Sequence, residues 1–336
     1  MSKIDIHFPD NSRMTFDAGL TAGEILAAWK AEAARDAVAA KLNDRMIDLA
    51  SPVTENGSIQ AVDINTPEGV GVLRHSISHV MAEAVQQLFP NVKVTIGPSI
   101  EDGFYYDFDC ESTFTPEDLK KIEKRMAEIA AKDEPFTRRE VSREEAIELF
   151  EKKGEPYKVE LIQDLPADVR TVSLYTQGDF TDLCRGPHIP ATGKIKAFKL
   201  LNVAGAYWRG DEHNKMLQRI YGTGFATTEQ MEEYLAFIEE AKRRDHRKLG
   251  RELDLFQINE EVGPGLIIWH PKGAMLRTII EDWERKEHFK RGYDIVLGPQ
   301  ILRDHMWIRS GHMDHYKESM YFTEVEDQGY GIKPMN

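Results

Sequence analysis

The chain has 336 residues, which is enough for two to four domains of ordinary size. Hydrophobic residues make up 41% and charged residues 30% of the sequence, a composition that can form buried cores and excludes general disorder. The formal net charge of −14 excludes a nonspecific coating of nucleic acid, so any RNA contact needs a local basic surface.

Cysteine content and hydropathy indicate the compartment. The two cysteines, Cys110 and Cys184, exclude a disulfide scaffold and predict a reducing environment. The N-terminal sequence MSKIDIHFPDN has neither an apolar core nor a cleavage site, so we expect no secretory signal. No run of about 18 apolar residues occurs, so we expect no contact with a membrane. The sequence therefore predicts a soluble, cytoplasmic, α+β multidomain protein.

Residues 1–62 have the pattern of a small α/β domain. A turn between two short apolar runs predicts a β-hairpin, and Thr21 to Glu24 has capping-box spacing, which predicts the start of a helix. Four strands crossed by one helix would form the ubiquitin-like β-grasp arrangement, which by itself indicates only a binding module. The predicted elements are Ile4–Phe8, Arg13–Phe16, Thr21–Trp29, Val38–Leu42 and Ile59–Ile64.

Residues 63–225 predict an α+β domain. Thr66-Pro67-Glu68-Gly69 marks a boundary, and a helix then runs to Phe89, where Pro90 stops it. An apolar stripe at helical spacing predicts its core face: Leu73, Ile77, Val80, Ala84 and Leu88. A capping box at Ser142 to Glu145 predicts a later helix. The other predicted elements are Val92–Ile96, Phe104–Phe108, Pro116–Lys132, Val172–Gln177, Ala197–Val203 and Met216–Ile220.

Residues 226–247 predict a linker helix, and residues 248–336 a third domain. The linker helix begins near Thr228, and six basic residues lie between Lys242 and Arg251. This basic cluster fits either cations at a helix C-terminus or an RNA contact. In the third domain, Gly263-Pro264-Gly265 precedes a predicted strand; the predicted elements are a strand at Leu266–Trp269, a long helix to Arg291 and a strand at Tyr293–Leu297.

Two groups of metal-ligating residue types occur far apart in the sequence. His75 and His79 lie four residues apart on one face of the first helix of residues 63–225. Asp182, Cys184 and His188 lie together in a Gly- and Pro-bearing loop. The spacings H-x3-H and C-x3-H suit one tetrahedral zinc site, whereas without metal the same residues suit general acid–base chemistry. Spacing alone leaves both possibilities open.

Long segments of the chain resemble the threonyl-tRNA synthetases of bacteria, in order and over essentially the whole sequence. HSISHVMAEAVQQLFP, VTIGPSIEDGFYYDFD, FTDLCRGPHIP and AYWRGDEHNKMLQRIYGTGF resemble the editing domain of that family. DHRKLGRELDLFQI, GPGLIIWHPKGAMLR, IRSGHMDHYKESMYF and YGIKPMN resemble its linker and the start of its class II catalytic domain.

The resemblance implies an N-terminal fragment of such a synthetase. Residues 1–62 would be its TGS domain and residues 63–225 its editing domain, followed by a truncated catalytic domain with motif 1 at Arg291–Pro299. Motif 1 implies a homodimer. In the family, a zinc-binding cysteine follows KPMN directly, and the ATP-binding motifs 2 and 3 lie further on. We therefore expect no threonyl adenylate from this chain, and no strand partners for Lys333 to Asn336.

The resemblance also implies a proofreading reaction and the residues for it. The family attaches threonine to tRNA(Thr) and hydrolyses seryl-tRNA(Thr) made in error. By motif match, His75 would act on the ribose hydroxyl and leaving group, Lys158 and His188 would hold or activate water, and Asp182 would bind the α-amino group. His79 and Cys184 would bound the pocket.

Cofactors and partners follow from the same resemblance. The full enzyme would use ATP, Mg²⁺ and one Zn²⁺, with threonine, serine and tRNA(Thr) as substrates. We expect no cofactor-binding residue in this fragment and no metal in its editing site. The alternative is an editing-site zinc held, as in the alanyl-type domains, by His75, His79, Cys184 and His188.

Two other functions fit parts of the sequence. A freestanding aminoacyl-tRNA editing hydrolase would need residues 63–225 but not the motif 1 region within residues 253–336. A nonenzymatic tRNA-binding regulator would be expected to lack pocket residues, and this sequence retains them all.

Overall fold

The computed structural model describes residues 2–263 and 265–333, which form two compact units, one ending at Glu239 and one beginning at Glu240. Each unit combines helices with β-sheets, so the predicted α+β class is confirmed. The predicted division into four segments stays a prediction. In the part of the chain that the structure describes, no helix is long and apolar enough to cross a membrane.

The first sheet is built by the N-terminal segment. Its elements are β1 (Lys3–His7), β2 (Arg13–Asp17), α1 (Ala22–Trp29), α2 (Ala31–Asp36), β3 (Ala37–Leu42), β4 (Arg45–Ile47) and β5 (Gly57–Asp63). The strand order is β2-β1-β5-β3-β4, with β1 and β5 parallel. The predicted hairpin and the Thr21–Glu24 capping box are confirmed. The sheet has five strands rather than the predicted four. The prediction missed β4, because this strand contributes only three residues and carries no recognisable pattern.

The next segment, as far as Arg243, contains two further sheets. In chain order its elements are α3 (Pro67–Leu88), β6 (Lys93–Val94), β7 (Ser99–Ile100), β8 (Gly103–Asp109), α4 (Pro116–Ala131), β9 (Thr137–Ser142), α5 (Arg143–Lys153), α6 (Pro156–Gln163), β10 (Thr171–Gln177), β11 (Phe180–Leu183), β12 (Ala197–Tyr207), β13 (Met216–Phe225) and α7 (Thr228–Arg243). The larger sheet has the order β12-β13-β8-β6 with β7 beside β8, and the smaller has the order β11-β10-β9.

Helix α3 lies at the centre of this segment. The side chain of Thr66 accepts a hydrogen bond from the Gly69 amide and caps the helix, and Pro67 occupies its first turn. Four residues of the predicted stripe, Leu73, Ile77, Val80 and Ala84, are fully buried. The prediction for Leu88 is wrong: this side chain is 39% exposed, because the burial of the helix ends at Val85 and its last turn extends beyond the core.

Close approaches bring α3 against the larger sheet. A Cβ atom at Gly224 in β13 would lie 2.2 Å from Ile77 Cδ1, so the absence of a side chain there lets the helix rest on the strand. The same face of α3 that carries His75 and His79 is enclosed by the segment that follows β11. The helix therefore joins both sheets of the segment.

Several predicted boundaries differ from the structure. The predicted strand Val92–Ile96 pairs regularly only at β6, because Gly97 and Pro98 follow directly and Pro98 has no amide hydrogen to donate. Ser142 caps α5 by accepting a hydrogen bond from the Glu145 amide, which confirms that helix start. The linker helix ends at Arg243 rather than Arg247, because the Asp245 side chain accepts the Arg247 amide and starts a new helix.

The second unit, from Glu240 onward, is smaller and more exposed. Its further elements are α8 (His246–Glu252), β14 (Phe256–Ile258), β15 (Ile267–Trp269), α9 (Pro271–Lys290), β16 (Ile301–Arg303), α10 (Asp304–Arg309), α11 (His312–His315), β17 (Phe322–Val325) and β18 (Gln328–Ile332). β14 pairs with β15, and the other three strands have the order β16-β18-β17.

The structure corrects two expectations for this unit, and the remaining ones concern residues that it does not describe. The predicted strand Tyr293–Leu297 is not formed, because within the described residues no strand pairs with it; Val296 and Leu297 are 87% and 94% exposed. Lys333 does have a backbone partner, since its amide donates to the Gln300 carbonyl at 2.8 Å. Pro264 and residues 334–336, on which the other expectations fall, lie outside the described residues.

The start of α3 provides a test of its packing. A Cβ atom at Gly69 would lie 1.9 Å from the Asp63 carbonyl oxygen at the end of β5, whereas one at Gly71 would meet nothing within 4 Å. We expect Gly69→Ala to lower the free energy of unfolding by about 1–3 kcal/mol, as overpacking does. Gly71→Ala should raise it by about 0.5–1 kcal/mol through helix propensity. Urea unfolding measures both, and equal stability of the two variants would contradict the close approach.

Candidate functional site

A cluster of three histidines and one cysteine lies between α3 and the segment after β11. Cys184 Sγ is 3.2 Å from His75 Nε2 and 3.3 Å from His188 Nε2. The ring of His79 lies 5.1 Å from that of His75 and 4.3 Å from that of His188, measured between centroids. Ligand atoms from all four side chains lie within 4.8 Å of one another. The two sequence groups, more than a hundred residues apart, thus form one site.

Hydrogen bonds assign the tautomer of His188. The hydroxyl of Ser76 donates to the Val72 carbonyl at 2.8 Å and accepts the Ile189 amide at 3.0 Å. Its only hydrogen is therefore used, so at its 3.0 Å contact with His188 Nδ1 it must accept. Nδ1 carries the hydrogen, and the lone pair of Nε2 faces Cys184.

His75 contacts the same thiol. Its Nε2 lies 3.2 Å from Cys184 Sγ, and the Gly186 amide donates to this sulfur at 3.3 Å. Because the thiol has a single hydrogen, Cys184 can donate to only one of the two facing imidazole nitrogens.

A buried ion pair lies beside the cluster. Lys158 on α6 contacts Asp182 on β11, and the two side chains are 2% and 3% exposed. Tyr106 on β8 joins them: its hydroxyl donates to Asp182 Oδ2 at 2.7 Å and accepts from Lys158 Nζ at 3.0 Å. His79 Nε2 lies 3.6 Å from Asp182 Oδ2. The pair supplies fixed charges next to the neutral cluster.

Burial sets the protonation states of the cluster. It lowers the pKa of His75 to about 4 and that of His79 to about 3, and it lowers the pKa of His188 well below its usual value. It raises the pKa of the Cys184 thiol to about 12. At neutral pH the cluster therefore consists of three neutral imidazoles and a thiol.

The carboxyl of Asp182 follows a different balance. Burial opposes its ionised form, but the ammonium of Lys158 and the hydrogen bonds from Lys158 and Tyr106 outweigh burial, and the pKa of Asp182 is lowered. The Tyr106 hydroxyl responds in the opposite direction, since burial and the charge of Asp182 raise its pKa well above the usual value. The site thus keeps one carboxylate ionised and one phenol protonated.

The four-residue cluster also fits a zinc ion. Zinc–nitrogen and zinc–sulfur bonds of about 2.0–2.3 Å place tetrahedral ligand atoms roughly 3.3–3.8 Å apart, close to the two Cys184 distances. His79 Nδ1 is buried without a hydrogen-bond partner, as a nitrogen with a free lone pair for a ligand would be. The donor set of three imidazoles and one sulfur suits zinc chemically.

Two clefts reach the site from the surface. The larger, of about 500 Å³, ends at Cys184 and Arg185 and is walled by apolar side chains that include Leu161 and Val169. The other, of about 380 Å³, lies between residues 48–52 and residues 135–138 and reaches His188. His75 and Cys184 are partly exposed, whereas His79, Lys158, Asp182 and His188 are buried. Of the four cluster residues, Cys184 lines the larger cleft and His188 lines the other.

The structure brings together all six residues named from the sequence, and it adds others. The sequence analysis missed Tyr106 and Ser76, although both lie in segments that resemble the editing domain. Both are buried and carry a hydroxyl group, and a polar side chain within a predicted core element was the signal that could have identified them. Asp48 and Tyr175 were also missed, since nothing in the sequence links residue 48 to residue 188. The basic cluster after Lys242 surrounds a shallow cleft that also contains Asp245 and Glu252, and its RNA contact stays a prediction.

Comparison with known proteins supports the resemblance. The family described as "Threonyl and Alanyl tRNA synthetase second additional domain" matches residues 172–221, which include Asp182, Cys184 and His188. A threonine–tRNA ligase of Pelobacter propionicus and one of Geobacter sp. strain M21 are each 59% identical over 336 residues, all of this chain and 52% of the relative. The chain is similar over its whole length to these threonine–tRNA ligases. It spans about half the length of these relatives.

A solved structure was also matched. It is described as the RNA binding domain of threonyl-tRNA synthetase from Cryptosporidium parvum Iowa II, and it is 42% identical over 28% of this chain and 23% of its own. The TM-score is 0.27, which does not establish a shared fold.

The protonation states can be measured directly. We expect the rings of His75, His79 and His188 to stay neutral at pH 5.5, with His188 in the Nδ1–H form, because their pKa values are lowered. The unfolded chain takes up protons near pH 6.5, so the stability these rings contribute is complete above that pH. It is lost as pH falls through the lowered pKa values of the folded protein, about 4 for His75 and about 3 for His79.

Nitrogen-15 NMR of histidine-labelled, chelator-washed protein measures both properties, and the urea-unfolded chain is the control. Titration of any of the three rings near pH 6.5 in the folded protein would contradict this assignment.

Proposed function

We propose that the chain is part of a threonine–tRNA ligase and that the cluster around Cys184 hydrolyses seryl-tRNA(Thr). The observation that carries the proposal is the convergence of His75, Cys184 and His188 beside the buried Lys158–Asp182 pair. Ester hydrolysis needs a positioned water, a proton acceptor and a stabilised leaving oxygen. Neutral imidazoles next to fixed charges supply these groups. The similarity of the whole chain to threonine–tRNA ligases supports tRNA(Thr) as the RNA part of this substrate.

A second site is needed because of the chemistry of threonine and serine. Serine keeps the hydroxyl group and lacks only one methyl group, so a synthetic pocket for threonine rejects it by only about 1–3 kcal/mol. A hydrolytic site that excludes the larger threonyl ester can remove the smaller seryl ester. The proposal therefore requires a pocket whose size, not its polarity, discriminates between the two esters.

The water is assigned to the imidazole acceptors. His188 Nε2 has a lone pair because Ser76 holds the hydrogen on Nδ1, and this atom can accept a proton from water. Among the three histidines of the cluster, only His75 is partly exposed, so we assign it to the ribose hydroxyl and the leaving 3′-oxygen. Cys184 and His79 bound the pocket between them.

The charged pair is assigned to the substrate amine and to water. Asp182 remains ionised, and its carboxylate can bind the α-amino group of the seryl ester. Lys158 already donates to Tyr106 and contacts Asp182, so as an ammonium it holds the carboxylate and water in place rather than accepting a proton. Tyr106 fixes the geometry of both.

The proposal uses no editing-site metal. If zinc is bound, His75, His79, Cys184 and His188 would be its ligands, and an ion with all four positions filled by the protein would have a structural role. In a metal-free site, either Cys184 distance suits an S–H···N contact equally well. We give the ion no step in the reaction.

The remaining parts of the chain are assigned by their resemblance. The strand order β2-β1-β5-β3-β4 with α1 packed on the sheet supports a TGS domain of β-grasp type. We assign the segment from α8 onward to the beginning of a class II catalytic domain. The full protein would be a cytoplasmic homodimer that binds tRNA(Thr) and uses threonine, ATP, Mg²⁺ and one Zn²⁺ outside the editing site.

Hydrolysis can be tested with this chain. We expect deacylation of seryl-tRNA(Thr) and sparing of threonyl-tRNA(Thr) in single-turnover assays at saturating protein. His75→Ala should lower the rate by about 10²–10⁴-fold, the usual contribution of a proton-transfer group. His213→Ala, which removes an exposed ring in the turn between β12 and β13, is the matched control and should leave the rate unchanged.

Equal hydrolysis of the two esters would exclude proofreading, and wild-type activity of His75→Ala would exclude its assigned role. Lys158→Ala is a less clean test, because it leaves Asp182 as an unpaired buried charge and is expected to destabilise the chain by about 3–5 kcal/mol.

Removal of metal distinguishes a metal-free hydrolytic site from one that depends on zinc. We expect treatment with a zinc chelator to leave the rate of seryl-tRNA(Thr) hydrolysis unchanged, because every assigned group is a side chain of this protein. Elemental analysis before and after treatment is the accompanying measurement. One zinc per chain before treatment, with activity lost on its removal and restored by added zinc, would contradict the metal-free proposal.

A further inference from the structure

The carboxylate of Asp48 connects the N-terminal sheet to the candidate hydrolytic site. Its Oδ1 accepts the backbone amide of His188 at 2.9 Å, and its Oδ2 accepts the hydroxyl of Tyr175 at 2.7 Å. Asp48 follows β4 directly, 140 residues before His188. The Asp48 side chain, directly after the last residue of β4, thus holds both the backbone of His188 and the Tyr175 ring that contacts the His188 ring.

Asp48 is itself held firmly. The strand before it pairs with β3 at Ala40 and Ile47, and its own carbonyl accepts the Ser51 amide at 3.0 Å. The residues after it are tied to the start of α1, where the amides of Ala22 and Gly23 donate to the carbonyls of Ser51 and Leu49 at 2.9 and 2.8 Å. The position of the carboxylate is therefore set by the fold of the N-terminal sheet.

The contacts around His188 show what Asp48 controls. Phe136 stacks on the ring at 4.8 Å with the planes 4° apart, and Tyr175 meets it edge-on at 4.6 Å. Ser76 fixes the tautomer from the third side. These contacts restrict the ring, but the backbone of His188 is anchored by Asp48, and the orientation of Tyr175 depends on its bond to the same carboxylate.

We propose that Asp48 is a positioning residue for His188, so that the N-terminal sheet completes the hydrolytic site. The proposal rests on the hydrolytic function assigned above. Without the carboxylate, the His188 amide and the Tyr175 hydroxyl lose their acceptor, and Nε2 of His188 moves relative to Cys184 and the attacking water. A displacement of about 1 Å at a reacting group lowers a rate by as much as about 10²-fold.

The experiment compares three variants of the full chain. Asp48→Ala removes both bonds. Asp48→Asn keeps an oxygen for the His188 amide and an amide that can donate to Tyr175, but removes the charge. Glu55→Gln changes an exposed carboxylate of the same segment, paired only loosely with Arg45 at 3.8 Å, and is the control.

Three quantities are measured for each variant: the single-turnover rate of seryl-tRNA(Thr) hydrolysis at saturating protein, the dissociation constant for the tRNA, and the hydrogen exchange of the His188 amide. For Asp48→Ala we expect a rate about 10–100-fold lower, an unchanged dissociation constant and faster exchange. Asp48→Asn should restore the rate to within about threefold of wild type, and Glu55→Gln should match wild type.

Other results would overturn the proposal. A rate and amide exchange of Asp48→Ala equal to wild type would show that His188 needs no support from Asp48. Equal loss of rate in Asp48→Ala and Asp48→Asn, together with a lower melting temperature in both, would indicate a stabilising role only. If wild-type protein does not hydrolyse the seryl ester, the assigned function fails, and the His188 amide exchange alone still decides whether Asp48 positions it.

Discussion

The buried ion pair of Lys158 and Asp182 is the constraint on which the candidate site depends. Neither side chain is more than 3% exposed, so each charge requires the other, and loss of one partner would leave a charge in a low-dielectric interior. The pair joins α6 to β11, and the Tyr106 hydroxyl connects both to the larger sheet. The two sheets around α3 are thereby fixed relative to each other at the point where chemistry is proposed.

The same interior that penalises unpaired charge keeps the histidines neutral. Burial lowers the pKa of His75, His79 and His188, so the rings present lone pairs at neutral pH rather than positive charge. A site of neutral acceptors beside one ionised carboxylate suits ester hydrolysis and also suits zinc binding. The fold thus brings together neutral ring nitrogens and a thiol that suit either ester hydrolysis or zinc binding.

The position of Asp48 explains why the N-terminal sheet would affect the hydrolysis proposed at His188. Asp48 reaches the site because β4 and the start of α1 hold the intervening turn, and because α3 begins against the end of β5. The homologous threonine–tRNA ligases are about twice as long as this chain. In this chain, the hydrogen bond from His188 to Asp48 would couple the first sheet to the proposed hydrolysis.

The sequence by itself determined the local elements and the residue types of the site. The capping boxes, the proline stops and the apolar stripe predicted α1, α3 and α5, and the H-x3-H and C-x3-H spacings identified four members of the cluster. Local spacing determines such features because a helix places residues four apart on one face. It failed at β4, a three-residue strand in a tight hairpin with β3 that is too short to carry a pattern. It also failed at Tyr293–Leu297, where the apolar run forms no strand because no strand among the described residues pairs with it.

Only the tertiary structure decided the chemistry of those residues. The tautomer of His188 depends on Ser76, the ionisation of Asp182 on Lys158, and the anchoring of His188 on Asp48, at separations of 112, 24 and 140 residues. Protonation and orientation are set by burial and by neighbours in space, which no spacing in the sequence records.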